Sequence, residues 1–413
     1  MRRNAATTAL TLTAAALLTT MAGCGQGKYT GAHKSAAEEK LSLIKSGTEW
    51  NMAHQQFMAG DLDKALKSVD HSIALNSKVP KSHVLRGRIL IEKGRLEEAR
   101  ASLLEAERLD PTMAEPQYYL GIIHERFNQP QEALARYRKA SACEPSNPQY
   151  VVASAEMLIY MDRLDEAESL LMERRSDFQY NAAICQTLGQ IKTIRREHEA
   201  AVRYFDEARL LAPDDNAIVE DLARAQIACG RFAEAEYHLG RLIEASKDQT
   251  RRDLMHLRAR CLVKLDRPVE ARSILQQLTS GAEGAGDLEA WIMLGQVAAT
   301  LNDAGRLRTA SQRVIALAPE SYEGYFLKAL HLRRQGDYNG ALASADTAAK
   351  LSTTDPGPHI LKALIQQDLG RRADARKSLL AALKIDPKNA SARQLMDNLD
   401  SRPAVAGHPA AGN

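Results

Sequence analysis

Aromatic side chains are scarce in this sequence, 5% of 413 residues, and only two are tryptophan. Proline is sparse too, at 14 residues, which leaves an interior built from alanine and leucine, the composition of an all-helical chain. Neither sign of charge dominates: the formal net charge is +3, and it moves toward zero without Arg2 and Arg3. A concentrated basic face is therefore absent, and nucleic acid is not expected as a partner. No apolar run reaches the roughly 20 residues that a membrane-spanning helix needs, because Ala5 to Thr20 is short and threonine-rich.

Catalytic and metal-binding patterns are missing as well. There is no H-E-x-x-H, C-x-x-C or P-loop, and "GAEGAG" (281–286) lacks both a preceding strand and the G-x-G-x-x-G order. It reads as a flexible loop between helices. His124-Glu125 and His198-Glu199 are adjacent pairs that point to different helix faces, which argues against a metal site. Cys143, Cys185, Cys229 and Cys261 have no ligand spacing and read as buried free thiols, with a Cys229–Cys261 disulfide left open by an exported setting. No catalytic residue, metal, cofactor or small-molecule substrate is expected.

What is present begins at the N-terminus. Arg2 and Arg3 precede a mildly apolar run that ends in the small residues Ala22 and Gly23, the layout of a secretory signal over residues 1–23. Met21-Ala22-Gly23-Cys24 resembles the lipobox of bacterial lipoproteins, with Met21 in place of the usual leucine. That resemblance implies lipid attachment at Cys24, and Gly25, in place of a retaining aspartate, implies an outer-membrane destination facing the periplasm. Residues 24–45 then read as a lipidated N-terminus, a polar linker and a helix, Ala36 to Ile44, that covers the first repeat.

The repeats follow. Alanines at 65, 99, 133, 167, 201 and 235 fall at steps of 34; Ala271 and Leu307 follow at 36, and Ala341 and Ala375 resume the step of 34. Twelve residues before each stands Ala or Gly: Ala53, Gly87, Gly121, Ala155, Gly189, Ala223, Ala259, Gly295, Ala329 and Ala363. Small residues at both places let two antiparallel helices approach closely. Five residues before the second small position come Gly60, Gly94, Gly230, Gly336 and Gly370, or Asn128, Asp162, Asp266 and Asn302, types that tolerate the left-handed turn ending a helix. Arg196 alone breaks the rule, so the fifth repeat is expected to turn by another route.

A 34-residue helix-turn-helix unit of this kind resembles the tetratricopeptide repeat, most clearly in "GYFLKALHLRRQGDYNGALASADTAAKL" (324–351) and "AWIMLGQVAATLN" (290–302). The resemblance implies an all-α, right-handed superhelical solenoid of about ten repeats over 46–389, closed by a capping helix at 390–400 and followed by a loose tail, 401–413. It also implies that the first helix of each repeat lines a concave groove. The candidate partner-binding residues there are Trp50, His54, Phe57 and Met58 in the first repeat, Arg88 and Ile91 in the second, and Tyr118, Glu125 and Arg126 in the third. Tyr160 and Arg224 continue the stripe, which also takes in Val84 and Glu156. For Trp50, Phe57 and Met58 the alternative is packing against Ala36 to Ile44. The carboxylate clamp of chaperone-binding members is absent, since Trp50 and His54 occupy its places, and only Asn51 matches the asparagine ladder of the sugar-transferring members.

Apolar anchors edged by charge suit a peptide segment of a partner protein. The expectation is a non-enzymatic, membrane-anchored scaffold that binds protein partners of the cell envelope, similar in plan to repeat lipoproteins of pilus assembly or polysaccharide export. The alternative is a soluble periplasmic or secreted adaptor that captures peptide segments of a sensor or protease substrate.

Overall fold

Alanine every 34 residues marks where paired helices touch. Ala65, Ala99, Ala133, Ala167, Ala201, Ala235, Ala271, Ala341 and Ala375 are fully shielded from solvent in the computed structural model, as is Leu307. The glycines twelve residues earlier admit a large neighbour: a Cβ on Gly87 would lie 2.6 Å from Leu103 Cγ, and one on Gly121 would lie 2.4 Å from a ring carbon of Tyr137. In these two pairs glycine sets the spacing, and leucine or tyrosine fills it.

The structure describes residues 28–246 and 251–401, and every regular element among them is a helix. The signal segment, Cys24 and residues 402–413 of the expected tail lie outside the described residues. The chain divides into two units, one ending at Ile191 and one beginning at Lys192, and each is described by itself. The first unit contains α1 (Lys28–Met58), α2 (Leu62–Leu75), α3 (Pro80–Glu92), α4 (Leu96–Leu109), α5 (Ala114–Arg126), α6 (Pro130–Cys143), α7 (Pro148–Tyr160) and α8 (Leu164–Arg175); the boundary falls inside α9 (Ala182–Ile194). The second unit continues with α10 (His198–Leu211), α11 (Asn216–Ala228), α12 (Phe232–Ala245), α13 (Arg252–Lys264), α14 (Pro268–Leu278) and α15 (Gly281–Ala285). It ends with α16 (Leu288–Thr300), α17 (Ala304–Leu317), α18 (Tyr322–Arg334), α19 (Tyr338–Leu351), α20 (Gly357–Asp368), α21 (Arg372–Ile385) and α22 (Ala390–Ser401). In both units the helices form antiparallel pairs stacked in chain order, an all-α repeat solenoid. First helices of successive pairs also touch directly, α1 with α3 and α3 with α5, which puts them on the inner side.

Turn chemistry shows one departure from expectation. The nine Gly, Asn and Asp turn residues take positive φ, and Arg196 does the same at 60°. Arg196 N–H donates to the Thr193 carbonyl at 3.0 Å and Glu197 N–H to that of Lys192 at 2.9 Å, the same pair of bonds that Asn128 and Gln129 make to Glu125 and His124. The fifth repeat therefore turns by the common route, and these two bonds offset the roughly 1–2 kcal/mol that a side chain costs in this region.

Two further expectations are corrected. Ala36 to Ile44 is not a separate cover: it continues without a break into Trp50 within α1, and a continuous helix cannot fold back on itself. Its Leu41, Leu43 and Ile44 are exposed, while Ser42 and Ser46 hydrogen-bond toward the end of α2 at Leu75 and Ser72. "GAEGAG" is also not a loose loop, because Gly281 to Ala285 forms α15, capped over by Trp291, whose Nε1 donates to the Gly284 carbonyl at 2.9 Å. A Cβ at Gly284 would meet the Leu278 carbonyl oxygen at 2.4 Å, so glycine is needed there for close backbone approach. Cys143, Cys185, Cys229 and Cys261 are all free thiols, with Cys143 and Cys229 only half-buried, so the Cys229–Cys261 bridge is not made.

Candidate functional site

Helices of equal length stacked with a slight rotation bring each first helix against its neighbour about one turn out of register. Several contacts between first helices in the first unit accordingly fall at steps of 31 residues rather than 34. Trp50 Nε1 donates to the Lys81 carbonyl at 3.2 Å, and Gln149 Nε2 donates to the Tyr118 hydroxyl at 2.7 Å. The Arg88 guanidinium lies between two rings at the same offset, 5.1 Å from the centroid of Phe57 and 5.3 Å from that of Tyr119. Such a cation–π sandwich fixes Arg88 and ties three repeats together.

The scarce aromatics concentrate where this series ends. Tyr118 lies 5.3 Å from Tyr119, 5.6 Å from Tyr137 and 5.3 Å from Tyr150, all ring centroid to ring centroid. Burial raises the Tyr118, Tyr119, Tyr137 and Tyr150 hydroxyls above the usual phenol range, so all four stay protonated at neutral pH. Tyr137 donates its proton to Glu125 at 2.8 Å. Beside this cluster, α5, α7 and the start of α9 enclose a pocket of about 300 Å³, lined by Tyr118, Pro148, Gln149, Val152, Glu156 and Ala183 among others. Glu156 reaches solvent, and its carboxyl is raised above its ordinary range by partial desolvation beside the pocket wall and by the charge of Glu125. Neither glutamate has a cationic partner among the described residues.

The expected site residues separate into several groups. Trp50 and Phe57 are half-buried and pack on the core shared by the first two repeats, with Ala53, Ala65, Val69, Leu85 and Ile89. His54 stacks on Trp50 with ring centroids 5.3 Å apart, and Met58 is 70% exposed at the end of α1. Tyr118, Glu125, Arg126 and Tyr160 reach solvent on the inner side; Arg126 donates to the Ile91 carbonyl at 2.8 Å, and Tyr160 donates to Asn128 at 2.8 Å.

Ile91 does not belong to an exposed surface. It is 3% exposed in a cluster with Leu90, Ala99, Leu103, Leu120 and Ile123, and Val84 is buried too. Leu120 and Ile123 of the third repeat pack over Ile91. Arg224 belongs to the second unit, where it is held in an ion network: it bonds Glu220 at 2.7 Å, and Arg251 bonds both Glu220 and Asp253 at 2.8 Å. Arg224 is thus exposed but paired, and it lies in the second unit while the Tyr118 cluster lies in the first.

The pocket's Gln149, Val152 and Ala183, and the Tyr119 half of the Arg88 sandwich, were not singled out from the sequence. The signal that finds them is the 31-residue offset: adding it to Tyr118 gives Gln149, to Arg88 gives Tyr119, and to Glu125 gives Glu156. Among the described residues no group of His, Cys, Asp and Glu is placed to hold a metal ion, and no helix is long and apolar enough to cross a membrane.

Comparison with known proteins agrees with this architecture. Family models described as "TPR repeat" match residues 87–126, and models described as "Tetratricopeptide repeat" match 220–245, 292–356 and 358–389. The chain is similar to the type IV pilus assembly protein PilF of Pseudomonas aeruginosa, 24% identical over 135 residues, which is 32% of this chain and 54% of that protein. The matched stretch thus spans about half the length of that relative. Among solved structures, Pseudomonas aeruginosa PilF aligns with a TM-score of 0.43 at 20% identity, covering 50% of this chain and 94% of that one. The Cut9–Hcn1 hetero-tetramer aligns at 0.42 and 12% identity over 85% and 95% of the two chains. YrrB, described as a TPR protein with an unusual peptide-binding site, aligns at 0.35 and 20% over 47% and 97%.

Proposed function

Because this chain is a tetratricopeptide-repeat protein, we propose that it is a non-enzymatic, exported scaffold whose first unit holds a segment of a partner protein on its inner face. The observation that carries this reading is the open pocket between α5, α7 and α9, where aromatic, aliphatic and acidic side chains converge without a ligand-independent role for Glu156. Repeat proteins of this family generally serve as protein-interaction scaffolds, and the pocket supplies what such binding needs: a rigid floor, an aromatic wall and a polar group that fixes register.

The location in our reading is the cell envelope, with a lipid on Cys24 anchoring the chain to the outer membrane on its periplasmic side and the complex served being of pilus or polysaccharide-export type. The basic start, the apolar run and Cys24 after Ala22-Gly23 support it, as does the similarity to a pilus assembly protein. Cys24→Ser separates this reading from a soluble adaptor. The expected outcome is transfer of the protein from the membrane fraction to the soluble periplasmic fraction, followed by immunoblotting. A wild-type protein already released by osmotic shock, with no lipid on Cys24, supports the soluble adaptor instead, and a Cys24→Ser protein that stays with the membrane contradicts the lipid anchor.

A further inference from the structure

Extending the groove reading, on which it rests, we propose that the pocket between α5, α7 and α9 is a specificity subsite for an arginine or lysine side chain of an extended, basic segment of the partner protein.

A side chain entering this pocket would meet three kinds of surface. Pro148, Val152 and Ala183 offer an aliphatic surface, Tyr118 offers a ring, and Glu156 offers a carboxylate. An apolar stem that ends in a cation matches that sequence of surfaces, and among side chains only lysine and arginine have one. A purely aliphatic side chain would give Glu156 no partner, and an acidic one would meet a second negative charge.

Electrostatics on every element around the pocket point the same way. Glu125 on α5 and Glu156 on α7 lie close enough that the charge on Glu125 makes ionisation of Glu156 harder. The basic groups of these helices are engaged elsewhere: on α5, Arg126 bonds the Ile91 carbonyl and His124 bonds Gln129; on α9, Lys192 pairs with Glu197 at 3.0 Å; and α7 carries none. Tyr118 cannot neutralise Glu156, because its hydroxyl is uncharged and accepts from Gln149. The pocket therefore holds an excess of negative charge that folding leaves uncompensated. A guanidinium there would pair with Glu156 through charge-assisted hydrogen bonds and lie against the face of Tyr118.

The fixed Tyr118–Gln149 bond adds selectivity of shape. It holds the ring and the amide as one wall, so the pocket is formed before a ligand arrives and needs little ordering on binding.

The test is a selection of a phage-displayed library of random dodecapeptides against the full chain. Selections against Glu156→Gln and Ala183→Trp run in parallel. Ala183 is exposed, so a tryptophan there fills the pocket without entering the core. The expected result is that binders to the native chain carry arginine or lysine at one position about five- to tenfold above the library frequency, a preference of the size one well-formed contact gives. The Glu156→Gln selection is expected to yield binders without that enrichment, and Ala183→Trp to lose the native binders, with unchanged circular dichroism and melting in both variants. Binders that compete with Ala183→Trp but show no basic enrichment overturn this inference and leave the groove reading standing. Binders indifferent to Ala183→Trp, or no binders, overturn the groove reading and the inference together.

Discussion

Gly121→Leu is expected to unfold the third repeat, lowering the stability of the first unit by about 3 kcal/mol or more, at the upper end of what overpacking costs. Even a single Cβ at this position would lie 2.4 Å and 2.6 Å from ring carbons of Tyr137. That ring has no free space to enter: Tyr137 is 2% exposed, packs against Tyr118 and is tied to Glu125 by its hydroxyl. Since each repeat of a solenoid is supported only by its neighbours, displacing Tyr137 removes support from the second and fourth repeats as well. Urea unfolding followed by circular dichroism measures the effect. Gly47→Ala is the matching control, because a Cβ there meets nothing within 4 Å in the middle of α1. It is expected to raise stability by about 0.5–1 kcal/mol through helix propensity. Equal destabilisation by both substitutions would mean that the small-residue rule does not set the helix spacing.

In the second unit the largest effect is expected at Asp287. One carboxylate does three things there: it caps α16 through Ala290 N–H at 3.1 Å, and it accepts from Arg252 at 2.5 Å and His256 at 2.8 Å. All three side chains are mostly shielded, with Asp287 at 13% exposure. Asp287→Ala removes the cap and leaves Arg252 and His256 without their anion, and is expected to cost about 3–5 kcal/mol, the range for breaking a buried pair. Asp287→Asn keeps the capping oxygen and is expected to lie well above alanine in stability.

The pH dependence follows from the same contacts. Burial opposes ionisation of Asp287, but the Ala290 N–H, His256 and Arg252 outweigh it and hold the carboxyl below its usual range. A carboxyl depressed in the folded state contributes stability that is full above the unfolded pKa of about 4 and is lost as pH falls below it. The gap in melting temperature between the native protein and Asp287→Asn is therefore expected to be constant near neutrality and to close on acidification below about pH 4. A gap that stays open well below about pH 4 contradicts the assignment.

Much of the repeat framework is visible in the sequence because it rests on single-residue volumes. Ala65 and its successors must be small for helices to touch, and Gly60 and its successors must tolerate positive φ, so residue type alone reports the geometry. Arg196 was hidden because two backbone hydrogen bonds, which no side chain announces, hold its turn in place. The continuity of α1 through Gly47 was hidden for a related reason: a glycine at an open position can end a helix or simply lie within one, and only packing decides.

The inner face was less visible than the framework. Reading one first helix at a time places Tyr118, Glu125 and Tyr160 at the surface, but it also places Ile91 there, and only the neighbouring repeat shows that Ile91 is covered. Exposure on a solenoid is a property of three consecutive repeats. For the same reason Glu156 gains its meaning from Glu125 thirty-one residues earlier, and exposed Arg224 finds Asp253 of the following repeat at 3.8 Å.

The central claim, that the inner face of the first unit engages a partner protein, is tested most directly by photocrosslinking in living cells. A photoreactive phenylalanine analogue replaces Tyr160, 66% exposed on the inner side, or Glu97, exposed on α4 in the outer layer. The account expects a discrete adduct from position 160, its loss when Ala183→Trp fills the neighbouring pocket, and no adduct from position 97. An adduct from position 97 alone, or one from position 160 that persists in the Ala183→Trp background, would contradict it.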